Sequence, residues 1–298
     1  MALEITAPRV VAPVGDRCGE AATWSAAEGA VYWCDINRFL VHRMTVADGA
    51  VKTWMFDEPV VALALTSDPA TMLVATGARL LLWNPATDRR RPQGFALDGW
   101  PKVRLNDGRP DPAGRLWIGS MRNNVGPEGE VLPAGGTDGL LFRVDGTGVT
   151  THRDGIGISN TLCWSPDRRT FYFADTLANV IWAHDYDAAA GTIGAPRVFL
   201  EGFERGLPDG SAIDAEGYLW NCRFGGGCIV RISPDGAIDR VIDLPVTNVT
   251  TCTFGGDDLR TLYVTTANAG APESERLAGS LFRIDSSVAG LPENRFAL

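Results

Sequence analysis

The sequence predicts an all-β protein, a six-bladed β-propeller, on three observations. Gly, Asp and Pro turn signals precede short aromatic or β-branched strands six times along the 298 residues. The central residues of these strands, 32, 73, 117, 172, 220 and 263, follow one another at steps of 41, 44, 55, 48 and 43. No segment longer than about ten residues carries a helical apolar period without an interrupting Gly or Pro, so helices have a minor part at most.

Each unit supplies its strands in the same order. The repeat-defining strands are Val31-Tyr32-Trp33, Met72-Leu73-Val74, Leu116-Trp117-Ile118, Phe171-Tyr172-Phe173, Leu219-Trp220 and Leu262-Tyr263-Val264. Ahead of them lie 21–24, 61–65, 106–109, 160–164, 209–213 and 250–254; behind them lie 40–44, 80–83, 140–144, 180–183, 229–232 and 281–284. A sheet of three or four short strands cannot bury both faces until neighbours pack on it, which is the requirement a propeller blade meets. The last unit ends with three strands, and the apolar run Val10-Val11-Ala12-Pro13-Val14 stands before the first. The N-terminal strand is therefore expected to complete the last blade and close the ring, leaving one domain over residues 1–298.

Composition narrows the function classes. With 45% apolar and 21% charged residues the chain can bury a large core. The net charge of −9 opposes binding to nucleic acid or to an anionic membrane. No apolar run approaches the roughly 18 residues of a membrane helix, and Met1-Ala2-Leu3-Glu4 lacks the basic start of a secretory signal, so a cytoplasmic protein is expected. The one basic run, Arg89-Arg90-Arg91, sits among Asn84, Pro85, Asp88 and Pro92 and is expected as a solvated turn. Six cysteines without a CxxC pair are expected as buried free thiols; only Cys222 and Cys228, flanking Phe224-Gly225-Gly226-Gly227, could face each other across a hairpin.

Propellers place ligands where the inner strands begin, near the axis. Aligned on the turn that follows, Glu20, Asn106, Asn160 and Asp209 each lie five residues before Ser25, Asp111, Ser165 and Asp214; Val61 and Thr250 hold the position in the other two blades. One such residue alone is a turn former, but four in one register converge on one axis. Two carboxylates with amide oxygens form a hard donor set that suits calcium, magnesium or manganese. His42, His152 and His184 lie outside this ring, which disfavours a Ser-His-Asp mechanism or a three-histidine zinc site. Arg104 and Asp107 bracket Asn106, either as contacts to hydroxyls or a carbonyl of a small polar substrate or as a surface ion pair. The Gly-, Pro- and Asn-rich stretches 120–139 and 267–279 are candidate rim loops.

At these residues the chain resembles the senescence-marker-protein/gluconolactonase family. The likeness rests on Gly19-Glu20, on Arg104-Leu105-Asn106-Asp107-Gly108 with Asp111-Pro112-Ala113-Gly114-Arg115-Leu116-Trp117, on Ile158-Ser159-Asn160, and on Leu207-Pro208-Asp209-Gly210 with Asp214-Ala215-Glu216-Gly217-Tyr218-Leu219-Trp220. The resemblance implies a propeller that hydrolyses sugar lactones with one divalent cation (calcium, magnesium, manganese, zinc or iron). Glu20, Asn160 and Asp209 then match metal ligands, Asp209 also the general base, and Arg104 and Asn106 substrate contacts. Two departures stand out. Ala21-Ala22 and Thr161 replace the family's Gly-Pro and Gly, which is expected to shift the local backbone; and Arg122-Asn123-Asn124 replaces an acidic contact, leaving Asn124 to meet a sugar hydroxyl.

The expectation is a metal-dependent aldonolactonase that opens a five- or six-membered sugar lactone in carbohydrate catabolism, its oligomeric state open. A promiscuous esterase or organophosphate hydrolase of the paraoxonase kind and a non-catalytic metal-binding propeller are the alternatives.

Overall fold

The computed structural model describes residues 3–298; Met1 and Ala2, where a secretory signal would start, lie outside them. Six four-stranded antiparallel sheets form the blades. Blade 1 runs through Gly19–Ser25, Ala30–Asp35, Leu40–Thr45 and Val51–Met55. The inner strands of blades 2 to 6 are Val60–Leu65, Val103–Pro110, Ser159–Trp164, Leu207–Ile213 and Val249–Gly255. Each packs beside the next and blade 6 beside blade 1, so the ring is closed. The propeller expectation holds, and the one helical element among the described residues is the 3-10 turn Ile36–Arg38.

Closure follows the predicted route. Arg9–Ala12 pairs antiparallel with Leu281–Asp285, so the two ends of the chain share blade 6. A second strap was not foreseen: the C-terminal residues bridge blades at one end of the axis, with Gly290 paired to Asp214 and Phe296 to Thr66. The Asn294 amide donates to Pro110 O at 3.1 Å.

The core lies between blades and is built on tryptophan. Trp33, Trp83, Trp117 and Trp220 are fully buried. Each indole N–H finds a carboxylate: Asp16 at 2.8 Å, Asp88 at 2.9 Å, Asp111 at 3.1 Å and Asp214 at 2.9 Å. A buried ring thus contributes apolar area without leaving an unpaired donor. Asp111 and Asp214 also hold the backbone of the turns after their strands, through the N–H groups of Ala113 and Arg115 and of Glu216 and Tyr218. The two long aspartate motifs are therefore blade-building elements, which explains why they recur at one register.

One expectation needs correction, and the alternative of a Cys222–Cys228 pair falls while the expected free thiols hold. Arg89–Ala96 is the outer strand of blade 2, not a turn; a solvated edge strand needs no apolar alternation, and Arg90 lays its guanidinium over Phe56. Cys222 faces Ile229, and Cys228 faces Arg223, so these two cysteines are not paired across the hairpin. All six cysteines are free; five are buried and Cys18 is half-buried.

Candidate active site

Every inner strand breaks its pairing register near its start, between Glu20 and Thr23, Val60 and Ala62, Leu105 and Gly108, Asn160 and Cys163, Pro208 and Ser211, and Val249 and Cys252. A bulge re-aims the side chains beside it. Here it turns four of them inward: Glu20, Asn106, Asn160 and Asp209 line one cavity, together with Arg104 and Asn124. Val61 and Thr250 do not line it; Val61 is buried in the core, and the Thr250 hydroxyl donates to Gly19 O at 2.5 Å. Residues of both predicted rim stretches reach the cavity, Val131 and Ala134 from one and Ala267 and Ala269 from the other.

The lining divides into acceptors and donors. Arg104 is buried, only 4% exposed, and gives its Nε and Nη2 to Asn124 Oδ1 at 3.0 and 2.8 Å. Its Nη1 goes to Leu105 O at 2.8 Å and Asn106 Oδ1 at 2.7 Å. It makes no ion pair with Asp107, so the surface-pair alternative falls. Asp107 does not line the cavity; its carboxylate accepts from the backbone N–H groups of Gly108 and Leu162 and feels the charge of Arg109. Asn106 is committed within the protein, with Nδ2 donating to Ser159 O at 2.8 Å. Asn160 is held by a residue that sequence reasoning missed: its Nδ2 donates to the Thr176 hydroxyl at 2.8 Å, which donates to Pro208 O at 2.8 Å. That bond fixes the amide and leaves Oδ1 for the cavity, 3.5 Å from Asn106 Nδ2.

The two acids are poor in partners. Glu20 takes only the Ala21 N–H, at 3.3 Å, and Asp209 the backbone N–H of Gly210. Burial pushes both carboxyls well above the usual range; the charge of Asp209 pushes Glu20 further, and that of Asp107 pushes Asp209. Cys18 in the wall is kept a thiol by burial and by Glu20. Among the described residues no three His, Cys, Asp or Glu side chains are grouped so as to hold a metal ion by themselves. The donor set is thus two carboxylates and one carboxamide oxygen, short of counter-charge, which fits a hard divalent cation. His42, bonded to Thr53 and Asp16, His184, bonded to Gly194 O, and His152, against Trp117, all stand outside it.

Ala21 and Thr161, the residues that depart from the family's glycines, adopt the left-handed conformation, at φ 57° and 55°, which costs L-residues about 1 kcal/mol each. Thr161 is held there by its hydroxyl, which donates to Asp209 O at 2.5 Å and meets Ser211 Oγ at 3.0 Å. Blade 4 is thereby tied to the main chain of Asp209. Thr161→Val keeps the shape and removes the donor; because Asn221 Nδ2 still reaches Asp209 O at 3.2 Å, the expected loss is about 1 kcal/mol in urea unfolding.

Fold and cavity together define a six-bladed propeller with an axial, oxygen-lined ligand site. The chain belongs to the family described as SMP-30/Gluconolactonase/LRE-like region, whose model matches residues 18–268. It is 34% identical to pentonolactonase XacC of Haloferax volcanii over 98% of each chain, and 34% identical to a 6-deoxy-6-sulfogluconolactonase of Pseudomonas putida over 94% of each. Among solved structures, a calcium-binding protein, regucalcin, from Agrobacterium tumefaciens superposes with a TM-score of 0.91 at 31% identity, covering 98% of both chains.

Proposed function

We propose that this protein hydrolyses a sugar lactone to its aldonic acid, with one divalent cation held by Glu20, Asn160 and Asp209. The observation that carries the reading is the meeting of three under-partnered oxygen groups with a buried arginine in one cavity of a chain of this family. When bound, the cation would supply Lewis acidity toward the lactone carbonyl and acidify water. The free Nη2 hydrogen of Arg104 and the Asn124 amide nitrogen would orient ring hydroxyls. Asp209, made more basic by burial, takes the proton as water attacks the carbonyl carbon. The tetrahedral adduct then expels the ring oxygen, and the Asp209 proton passes to that leaving alkoxide, which restores the carboxylate and frees a hydroxy acid. Turnover of this kind belongs in carbohydrate catabolism.

The test is acid release from a panel of pentono- and hexonolactones, set against aryl esters and corrected for spontaneous opening in buffer. Turnover of at least one sugar lactone well above the aryl esters is expected; equal or better turnover of the aryl esters points to a general esterase instead.

A further inference from the structure

We propose that the substrate carries a second, anionic group, so that the site takes an acidic sugar lactone in preference to a neutral one. This rests on the lactonase reading and names its substrate class. Two arginines line the cavity, and among the described residues neither reaches a carboxylate within ion-pair distance. Arg104 meets only neutral oxygens, those of Asn124, Asn106 and Leu105, which take four of its five N–H groups and leave one on Nη2. Arg17 has a fixed root, its N–H on Asp35 Oδ2 at 2.9 Å and its carbonyl accepting from Ala269. The residue is exposed, and its guanidinium has one hydrogen-bond partner, Gly129 O at 3.3 Å.

One hydrogen on Arg104 Nη2 is left without an acceptor on this wall. Arginine cannot accept, so Asn124 must turn Oδ1 to Arg104, and its Nδ2 adds another donor to the cavity. Glu20 and Asp209 balance the two arginines only until a cation engages them; then the lining side chains carry uncompensated positive charge. An unpaired arginine at the mouth of such a cavity suits a carboxylate, sulfonate or phosphate at the exocyclic end of a lactone, which it can bind in a two-pronged contact. Met121, the cross-strand neighbour of Arg104, and Phe224 add apolar surface to the lining and offer nothing to such a group.

The test compares D-glucaro-1,4-lactone with D-glucono-1,4-lactone, which differ in whether C6 is a carboxylate or a CH2OH, and pairs this with calorimetric binding of glucarate and gluconate to the cation-loaded protein. The acidic member should lead by tenfold or more in kcat/KM and in affinity at low salt, and the lead should shrink at 0.5 M NaCl. Arg17→Gln removes the mouth charge, and Asn124→Asp sets a carboxylate against the Arg104 fork; each should bring both ratios toward one. Equal values for the acidic and neutral members, or a lead that survives both variants, would overturn the proposal. If neither of these two lactones is opened, the lactonase reading is decided by the wider panel of pentono- and hexonolactones, and the glucarate-to-gluconate affinity ratio still decides this one.

Discussion

Asp209→Ala is expected to lower lactone turnover by about a thousandfold or more while leaving the fold intact. The carboxylate serves the proposed chemistry twice, as cation ligand and as proton acceptor, so its loss removes both functions at once. Its structural duties are small. The side chain takes a single backbone N–H, and the Thr161 hydroxyl of blade 4 and the Asn221 amide of blade 5 both bond the Asp209 main-chain carbonyl, which alanine keeps. In cation-free protein the variant should be no less stable than the parent, because a buried carboxyl whose ionised form is disfavoured by desolvation has gone. Steady-state acid release and urea unfolding of the same preparation check the two halves, and undiminished turnover would remove the mechanism.

A divalent cation should raise the stability of the chelated protein by about 2.7 kcal/mol at a hundredfold excess over its dissociation constant. The pH dependence has a definite sign. Glu20 and Asp209 have folded-state pKa values raised well above their unfolded values by burial. Their contribution is therefore fully present below the unfolded pKa near 4 and is lost as pH rises through the folded values, where the unfolded chain has already released its protons. Cation-free protein should weaken across this window, and added cation should restore more at pH 8 than at pH 5, where protons compete for the same oxygens. Glu20→Gln should flatten both effects. Thermal unfolding of chelated and reloaded samples at the two pH values gives the comparison, and a cation response that persists unchanged in Glu20→Gln would place the ion elsewhere.

Much of this was legible because local chemistry repeats. In four of the six blades the turn after the inner strand starts at Ser25, Asp111, Ser165 or Asp214, at a constant distance from the bulge, so counting back five residues finds Glu20, Asn106, Asn160 and Asp209. What stayed hidden depends on contacts distant in sequence. Thr176 orients Asn160 from the end of the next strand, Arg17 reaches the cavity from the segment before blade 1, and the C-terminal strap crosses blades whose inner strands lie far earlier. The left-handed backbone at Ala21 and Thr161 was invisible because neither residue advertises that conformation; at Thr161 it is sustained by hydroxyl contacts to blade 5. Arg89-Arg90-Arg91 misled for a different reason: an outer strand open to solvent has the composition of a turn.

The central claim, that Glu20, Asn160 and Asp209 hold a divalent cation on which lactone opening depends, is tested most directly by acid release from sugar lactones with chelated protein before and after adding calcium, magnesium, manganese, zinc or iron. The expected result is turnover close to the buffer blank after chelation, restored by at least one of these ions in the parent and by none in Asp209→Ala. Full turnover by protein shown to be free of metal would contradict it.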